Sequence, residues 1–190
     1  ILALRFAGPY GEPSHREALA AVLLAWLAMP SLGALPYLLD GGLGPLDALF
    51  ESMSGFTTTG ATVLTSFDAF GRALFLWRAF TQWLGGIGIL VAFLAIFPQL
   101  AIAGRQLFAA EAPGPSDDRF TPHLRSTALA VLWVYLGLSV AAAIAYGVAG
   151  MSAYDAVAHA MTTMAAGGFS PEARSFEGFS PAAQWVAIVF

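Results

Sequence analysis

The chain has 190 residues, of which 58% are hydrophobic and 11% charged. Its mean hydropathy is +0.71, and since soluble domains carry about 25% charged residues, water is not its main solvent. The absence of cysteine excludes disulfides, thiolate metal sites and cysteine nucleophiles, and the net charge of −4 excludes little until its distribution is read.

Taken in chain order, residues 1–17 read as a cytoplasmic lead-in, and the opening at Ile1 together with the stop inside an apolar run at Phe190 suggests an internal piece of a longer protein. Residues 18–39 form a first span, long enough for the roughly 20 helical residues that cross a hydrocarbon core. A short helix over 46–56 follows, opened by the turn pair Gly44-Pro45 and too short to cross. The next segment, Thr57-Thr58-Thr59-Gly60-Ala61-Thr62, has neither helical periodicity nor strand alternation. A second span occupies 72–103, its apolar stretch starting near Leu74. Residues 104–124, with Pro113-Gly114-Pro115-Ser116-Asp117-Asp118, break every periodicity and read as a cytoplasmic loop. The order then recurs: span 125–148, short helix 154–164, irregular segment 165–170, and an apolar helix over 181–190.

Arg5, Arg16, Arg105, Arg119 and Arg125 lie before the first span or between the second and third, which the positive-inside rule makes cytoplasmic. The opposite side holds Asp40, Asp47, Glu51, Asp68, Asp155, Glu172 and Glu177 against Arg72 and Arg174. Such an acidic vestibule would concentrate a cation, although each acid taken singly reads more readily as loop solvation.

A constant offset lays Gly42, Asp47, Ala48, Met53 and Gly60 over Gly150, Asp155, Ala156, Met161 and Gly168. With one extra residue after Ser170, Ser66–Phe70 falls on Ser175–Phe179, and self-similarity of this kind marks a duplicated unit. Non-helical backbone at membrane depth survives only where it is buried in protein or lines a watery path. Two such loops after two equivalent short helices therefore describe re-entrant pore loops. A ring of backbone carbonyls replaces the hydration shell of a monovalent cation without a formal charge that would trap it. Glycine reaches the backbone angles this needs at little steric cost, and pore helices ending at the filter aim their negative ends at the ion. The hydroxyls of Thr57, Thr58 and Thr59 either point at the axis or brace the loop from behind.

The segments Asp47–Thr62, Trp77-Arg78-Ala79-Phe80-Thr81-Gln82-Trp83-Leu84-Gly85-Gly86-Ile87-Gly88-Ile89, and Ala158-His159-Ala160 through Gly167-Gly168-Phe169-Ser170 resemble the Trk/Ktr/HKT superfamily of potassium transporters, most like the bacterial Trk-type pore subunit. The resemblance implies an all-α membrane protein of repeated span, pore-helix, filter-loop and span modules, potassium-channel-like, with two of four modules present here. It implies that Thr57, Thr58, Thr59 and Gly60, and Ala165, Ala166, Gly167 and Gly168, each supply a quarter of the filter. Potassium, the transported ion, would meet Thr58, Thr59, Gly60, Ala166, Gly167 and Gly168, with no organic cofactor and no nucleic acid partner. Glycine at position 60 goes with potassium preference in the family, where serine goes with sodium in some plant members. The second loop departs from the first in having alanines for threonines, which leaves the carbonyls but puts fourfold equivalence in doubt. The same resemblance implies membrane lipid around the spans, a homodimer, a nucleotide-binding regulatory ring against the cytoplasmic face, and a multi-pass protein of the plasma (bacterial inner) membrane with its filter loops outside.

Arg78 and Gln82 share one face of the second span, where an ionisable residue is costly. Arg78 either acts on the pore, by bracing the filter or limiting cation access, or snorkels to the headgroups near Arg72. Gly85, Gly86 and Gly88 suit close helix packing, with a gating hinge as the alternative, and no strand precedes them as a nucleotide loop would require. His159, at the repeat position of Glu51, has no metal-ligand cluster around it and is expected to hydrogen-bond or line the vestibule. Trp26, Trp77, Trp83, Trp133, Tyr37 and Tyr154 include interface anchors. A secondary transporter of another solute remains a rival reading, though such proteins often relate their repeats by inversion and these two run parallel. An intramembrane hydrolase is the enzyme rival, and no serine–histidine or paired aspartate set on the spans supports it.

Overall fold

The computed structural model describes residues 15–40, 42–109 and 123–190, and among them there is helix and connecting loop but no strand. In chain order the helices are α1 (His15–Gly33), α2 (Leu35–Leu39), α3 (Pro45–Phe56), α4 (Arg72–Ala109), α5 (His123–Val148), α6 (Ala153–Met164) and α7 (Pro181–Val189), with a 3-10 turn at Ser175–Gly178. Three stretches of described helix are long and apolar enough to cross a membrane: Leu19–Leu39, Arg72–Leu90 and Ser126–Val148. On α5 this apolar surface faces outward, with Trp133 and Val134 well exposed, as a lipid-facing helix requires.

The short helices start alike by different chemistry. Gly44 caps α3 at φ −61 and ψ 156, and Pro45 in the first turn gives up an N–H that would have had no partner anyway. Ser152 caps α6 at φ −61 and ψ 157, and its hydroxyl oxygen accepts from the Asp155 amide at 3.2 Å.

The repeat extends to the cores. In the first module Ala34, Tyr37, Ala48 and Leu74 cluster; in the second Ala142, Tyr146, Ala156 and Ala183 do so with Met151 and Ala160. Ala34 and Ala142, Ala48 and Ala156, and Leu74 and Ala183 are equivalent positions in the repeat, so each module buries matching apolar positions around its pore helix. The modules are not separate, because α4 packs against both pore helices, α3 and α6.

Three expected boundaries shift. The span expected over 18–39 is two helices, α1 and α2, with a break at Ala34. Pro36 has no N–H to continue the ladder, and the Tyr37 amide turns to Ala34 O at 3.1 Å. The Gly33 carbonyl, which Tyr37 would otherwise have engaged, accepts from Trp77 Nε1 at 3.0 Å. The second span, expected to end at 103, continues as helix to Ala109. Gly104 alone costs about 1 kcal/mol of helix propensity, too little to stop a helix followed by Arg105-Gln106-Leu107. The third starts at His123 rather than 125. Most of the expected lead-in (1–14) and of the expected cytoplasmic loop (110–122) lies outside the described residues.

Candidate functional site

Each pore helix runs into a loop whose first amides fold back onto it. The amides of Thr57, Thr58 and Thr59 donate to Met53 O, Gly55 O and Ser54 O at 2.9, 2.9 and 3.0 Å. Those of Ala165, Ala166 and Gly167 donate to Met161 O, Thr163 O and Thr162 O at 3.2, 2.9 and 3.0 Å, the same bonds at the same repeat positions. With the N–H groups turned inward, the loops have carbonyls left to offer. Among the described residues, no hydrogen bond reaches the carbonyl oxygens of Thr58, Thr59, Gly60, Ala166 or Gly168.

The backbone angles repeat as well. Thr58 and Ala166 have φ of 54 and 50, and Gly60 and Gly168 have φ of 79 and 77. A side chain in the left-handed region costs about 1–2 kcal/mol, so Thr58 and Ala166 store strain at matching places, as functional loops do. Of the threonine hydroxyls, Thr57 Oγ1 donates to Met53 O at 2.7 Å and lies 2.8 Å from Thr59 Oγ1, which braces the loop.

Behind the first loop lies a buried charge pair. Glu51, with no exposed surface, accepts from the hydroxyl of Thr62 and, at 2.6 Å, from the amide of Val63. Its other oxygen accepts from Arg78 Nε at 3.2 Å. Glu51 therefore does not line the acidic vestibule where its place among the outer acids had put it: the pore helix turns it inward onto its own loop. Arg78 is 1% exposed, so it does not snorkel. Its Nη1 donates to Ser170 O at 3.3 Å and its guanidinium lies 3.9 Å from the Phe169 ring centroid, so it joins Glu51 of the first pore helix to the second loop. Behind the second loop His159 takes the place of Glu51. Its Nδ1 is 2.8 Å from Asp155 O and its Nε2 is 3.0 Å from Ser170 Oγ.

The side chain that sequence reasoning noticed on the second span but gave no role is Gln82, one turn along α4 from Arg78 and fully buried. Its Nε2 donates to Gly167 O at 2.9 Å and its Oε1 accepts from the Phe169 amide at 3.1 Å. One amide thus brackets Gly168, and an amide in the middle of an apolar span was the signal that could have found it. Gly85 and Gly86 mark close approaches. A Cβ at Gly85 would fall on the backbone of Phe56, the residue before the first loop, and one at Gly86 would stand 2.6 Å from Tyr135 Oη and 3.2 Å from Ala165 Cα. A Cβ at Gly60 would strike the Gly167 carbonyl, whereas Gly168 faces open space. The two loops therefore meet where Gly60 and Gly167 touch. A cleft of about 260 Å³ is lined by Asp68, Arg72, Tyr154, Asp155 and Glu172 among others, with Tyr154 Oη donating to Arg72 O at 2.7 Å.

Fold and site define an all-helical membrane protein built of repeated modules of span, pore helix, loop and span. Residues 9–190 match the TrkH family, described as cation transport protein, and the chain belongs to it. The Trk system potassium uptake protein TrkH of Vibrio parahaemolyticus is 42% identical over 183 residues, covering 94% of this chain and 38% of that protein. The protein of the same name from Escherichia coli is 42% identical over 184 residues (95% and 38%). The Trk system potassium uptake protein TrkI of Halomonas elongata is 41% identical over 170 residues (88% and 34%). The crystal structure of the potassium transporter TrkH from Vibrio parahaemolyticus superposes with a TM-score of 0.81 at 36% identity, covering 98% of this chain and 37% of that one. The chain thus spans well under half the length of the relatives it matches, and those relatives are named as transport proteins.

Proposed function

We propose that this chain supplies two of the four modules of a potassium-uptake pore. The observation that carries the reading is the pairing of two loops with matched left-handed backbones at Thr58, Gly60, Ala166 and Gly168, their amides withdrawn onto the pore helices. Carbonyl oxygens then replace the hydration shell of potassium, with no bond made or broken. The ion meets the carbonyls of Thr58, Thr59, Gly60, Ala166 and Gly168 first. Gly167, whose carbonyl is already shared with Gln82, contributes its second lone pair. Thr57 and Ala165 are the turns at which the pore helices hand over to the filter. The relatives' printed names, which specify potassium uptake, support the choice of ion. The protein sits in the plasma (bacterial inner) membrane with the filter and the acidic cleft outside. It works as a homodimer with a cytoplasmic nucleotide-binding regulatory subunit, and no covalent catalysis is involved.

The test is rubidium-tracer uptake by the full-length parent protein in cells lacking their own potassium uptake, with potassium and sodium as competitors, comparing wild type with Gly60→Ser. Uptake in which potassium competes far better than sodium, and a preference weakened by Gly60→Ser, is the expected result. No uptake, or a preference untouched by the substitution, removes the loops as the selective element.

A further inference from the structure

We propose that Gln82, a residue of the first module, is the positioning residue that sets the ion preference of the second module's filter. The proposal rests on the potassium-pore reading above. Three observations carry it. Gln82 is fully buried and spends both ends of its amide on one short stretch of backbone, Gly167 O and Phe169 N, on either side of Gly168. That stretch lacks the hydroxyl brace of the first loop: Thr57 ties to Met53 O and to Thr59 there, and the equivalent positions in the second are Ala165 and Gly167. Finally, the Gly167 carbonyl that Gln82 holds is the atom against which Gly60 of the first loop packs.

The physical consequence follows from the two contacts. By accepting from the Phe169 amide, Gln82 keeps an N–H dipole, which would repel a cation, turned away from the ion path. By donating to Gly167 O, it fixes the plane of the peptide before Gly168, and with it the distance between the two loops. A glycine at φ 77 with open space around it has no side chain to hold that orientation. Selectivity between two cations of equal charge depends on holding carbonyl spacing and number, so a loop released from this clamp would lose discrimination before it lost conduction. Arg78, one turn away on α4, reaches Ser170 O, three residues further along the loop, and continues the same grip.

The experiment uses the full-length parent protein with Gln82→Met, which keeps the side chain's length and removes both hydrogen bonds, and Gln82→Asn, which keeps the amide on a shorter arm. Rubidium uptake under potassium and sodium competition is read beside backbone hydrogen exchange of the two loops in purified protein. Two lost hydrogen bonds predict a preference for potassium over sodium reduced on the order of tenfold in Gln82→Met while uptake persists. Exchange should be faster in residues 167–170 but unchanged in 57–62, with Gln82→Asn intermediate on both readouts. A folded Gln82→Met protein with unchanged preference overturns the proposal, and where that variant does not fold, unchanged preference in Gln82→Asn does so. Absence of potassium-selective uptake in the wild type marks failure of the pore reading itself. Selective wild type with unaltered variants marks failure of this inference alone.

Discussion

Glu51 and His159 stand at equivalent positions of the two pore helices, and each is bonded to the hydroxyl residue two places beyond its loop's glycine. Glu51 accepts from Thr62, and His159 Nε2 lies 3.0 Å from Ser170 Oγ. The repeat has kept the brace and changed its chemistry. Where the brace is a carboxylate, α4 supplies a cation, Arg78, to neutralise it; where it is an imidazole, aromatic rings surround it, with Phe176 at 4.7 Å and Phe179 at 5.1 Å between centroids.

Removing one partner of a buried pair leaves an uncompensated charge, which costs about 3–5 kcal/mol. Glu51→Ala and Arg78→Ala should each sharply lower the Tm of the detergent-purified parent protein, whereas Glu51→Leu combined with Arg78→Met should recover a large part of the loss. Thermal unfolding followed by size-exclusion chromatography checks this, and a double variant no better than the singles would contradict it.

His159 Nδ1 sits against a backbone carbonyl that can only accept, so that nitrogen carries the proton and Nε2 accepts from Ser170. His159→Leu removes the acceptor of the Ser170 O–H, whose oxygen still accepts from the Glu172 amide, and should cost about 1 kcal/mol, with most of the penalty absent in a Ser170→Ala background. A double-mutant cycle on thermal stability reads the coupling directly.

Gly60 and Gly168 share a backbone conformation but not a neighbourhood. Alanine at either carries about 1–2 kcal/mol of left-handed strain, and only at Gly60 does the new Cβ also meet a carbonyl, that of Gly167. Rubidium uptake should therefore be nearly abolished by Gly60→Ala and only moderately reduced by Gly168→Ala.

The glycines of α4 should grade by what they face. Alanine at Gly88 meets Trp26 at an ordinary 3.7 Å and gains helix propensity worth about 1 kcal/mol, so stability should hold or rise. Gly86→Ala presses on Tyr135 and Ala165, and Gly85→Ala drives into the Phe56 backbone, which cannot move aside. The expected order of Tm is Gly88→Ala highest, then Gly86→Ala, then Gly85→Ala. A flexible hinge at Gly85-Gly86 would instead leave Tm unchanged while altering uptake.

The sequence by itself determined the spans, the short helices, the irregular loops and their duplication, because each depends on local length, periodicity and turn chemistry. Gly60 and Gly168 are visible as glycines in such loops, and the structure adds their angles and the contact of Gly60 with Gly167. Local rules placed the first span but missed the break before Pro36 inside it, and they set Glu51 in the vestibule because an acid on a short helix reads as exposed. What only the tertiary structure decided is the sharing of α4 between modules. Arg78 reaching Ser170 and Gln82 reaching Gly167 join residues more than eighty positions apart. No periodicity encodes such contacts, since they arise when α4 packs into the groove between two pore helices and its buried polar groups must find partners there.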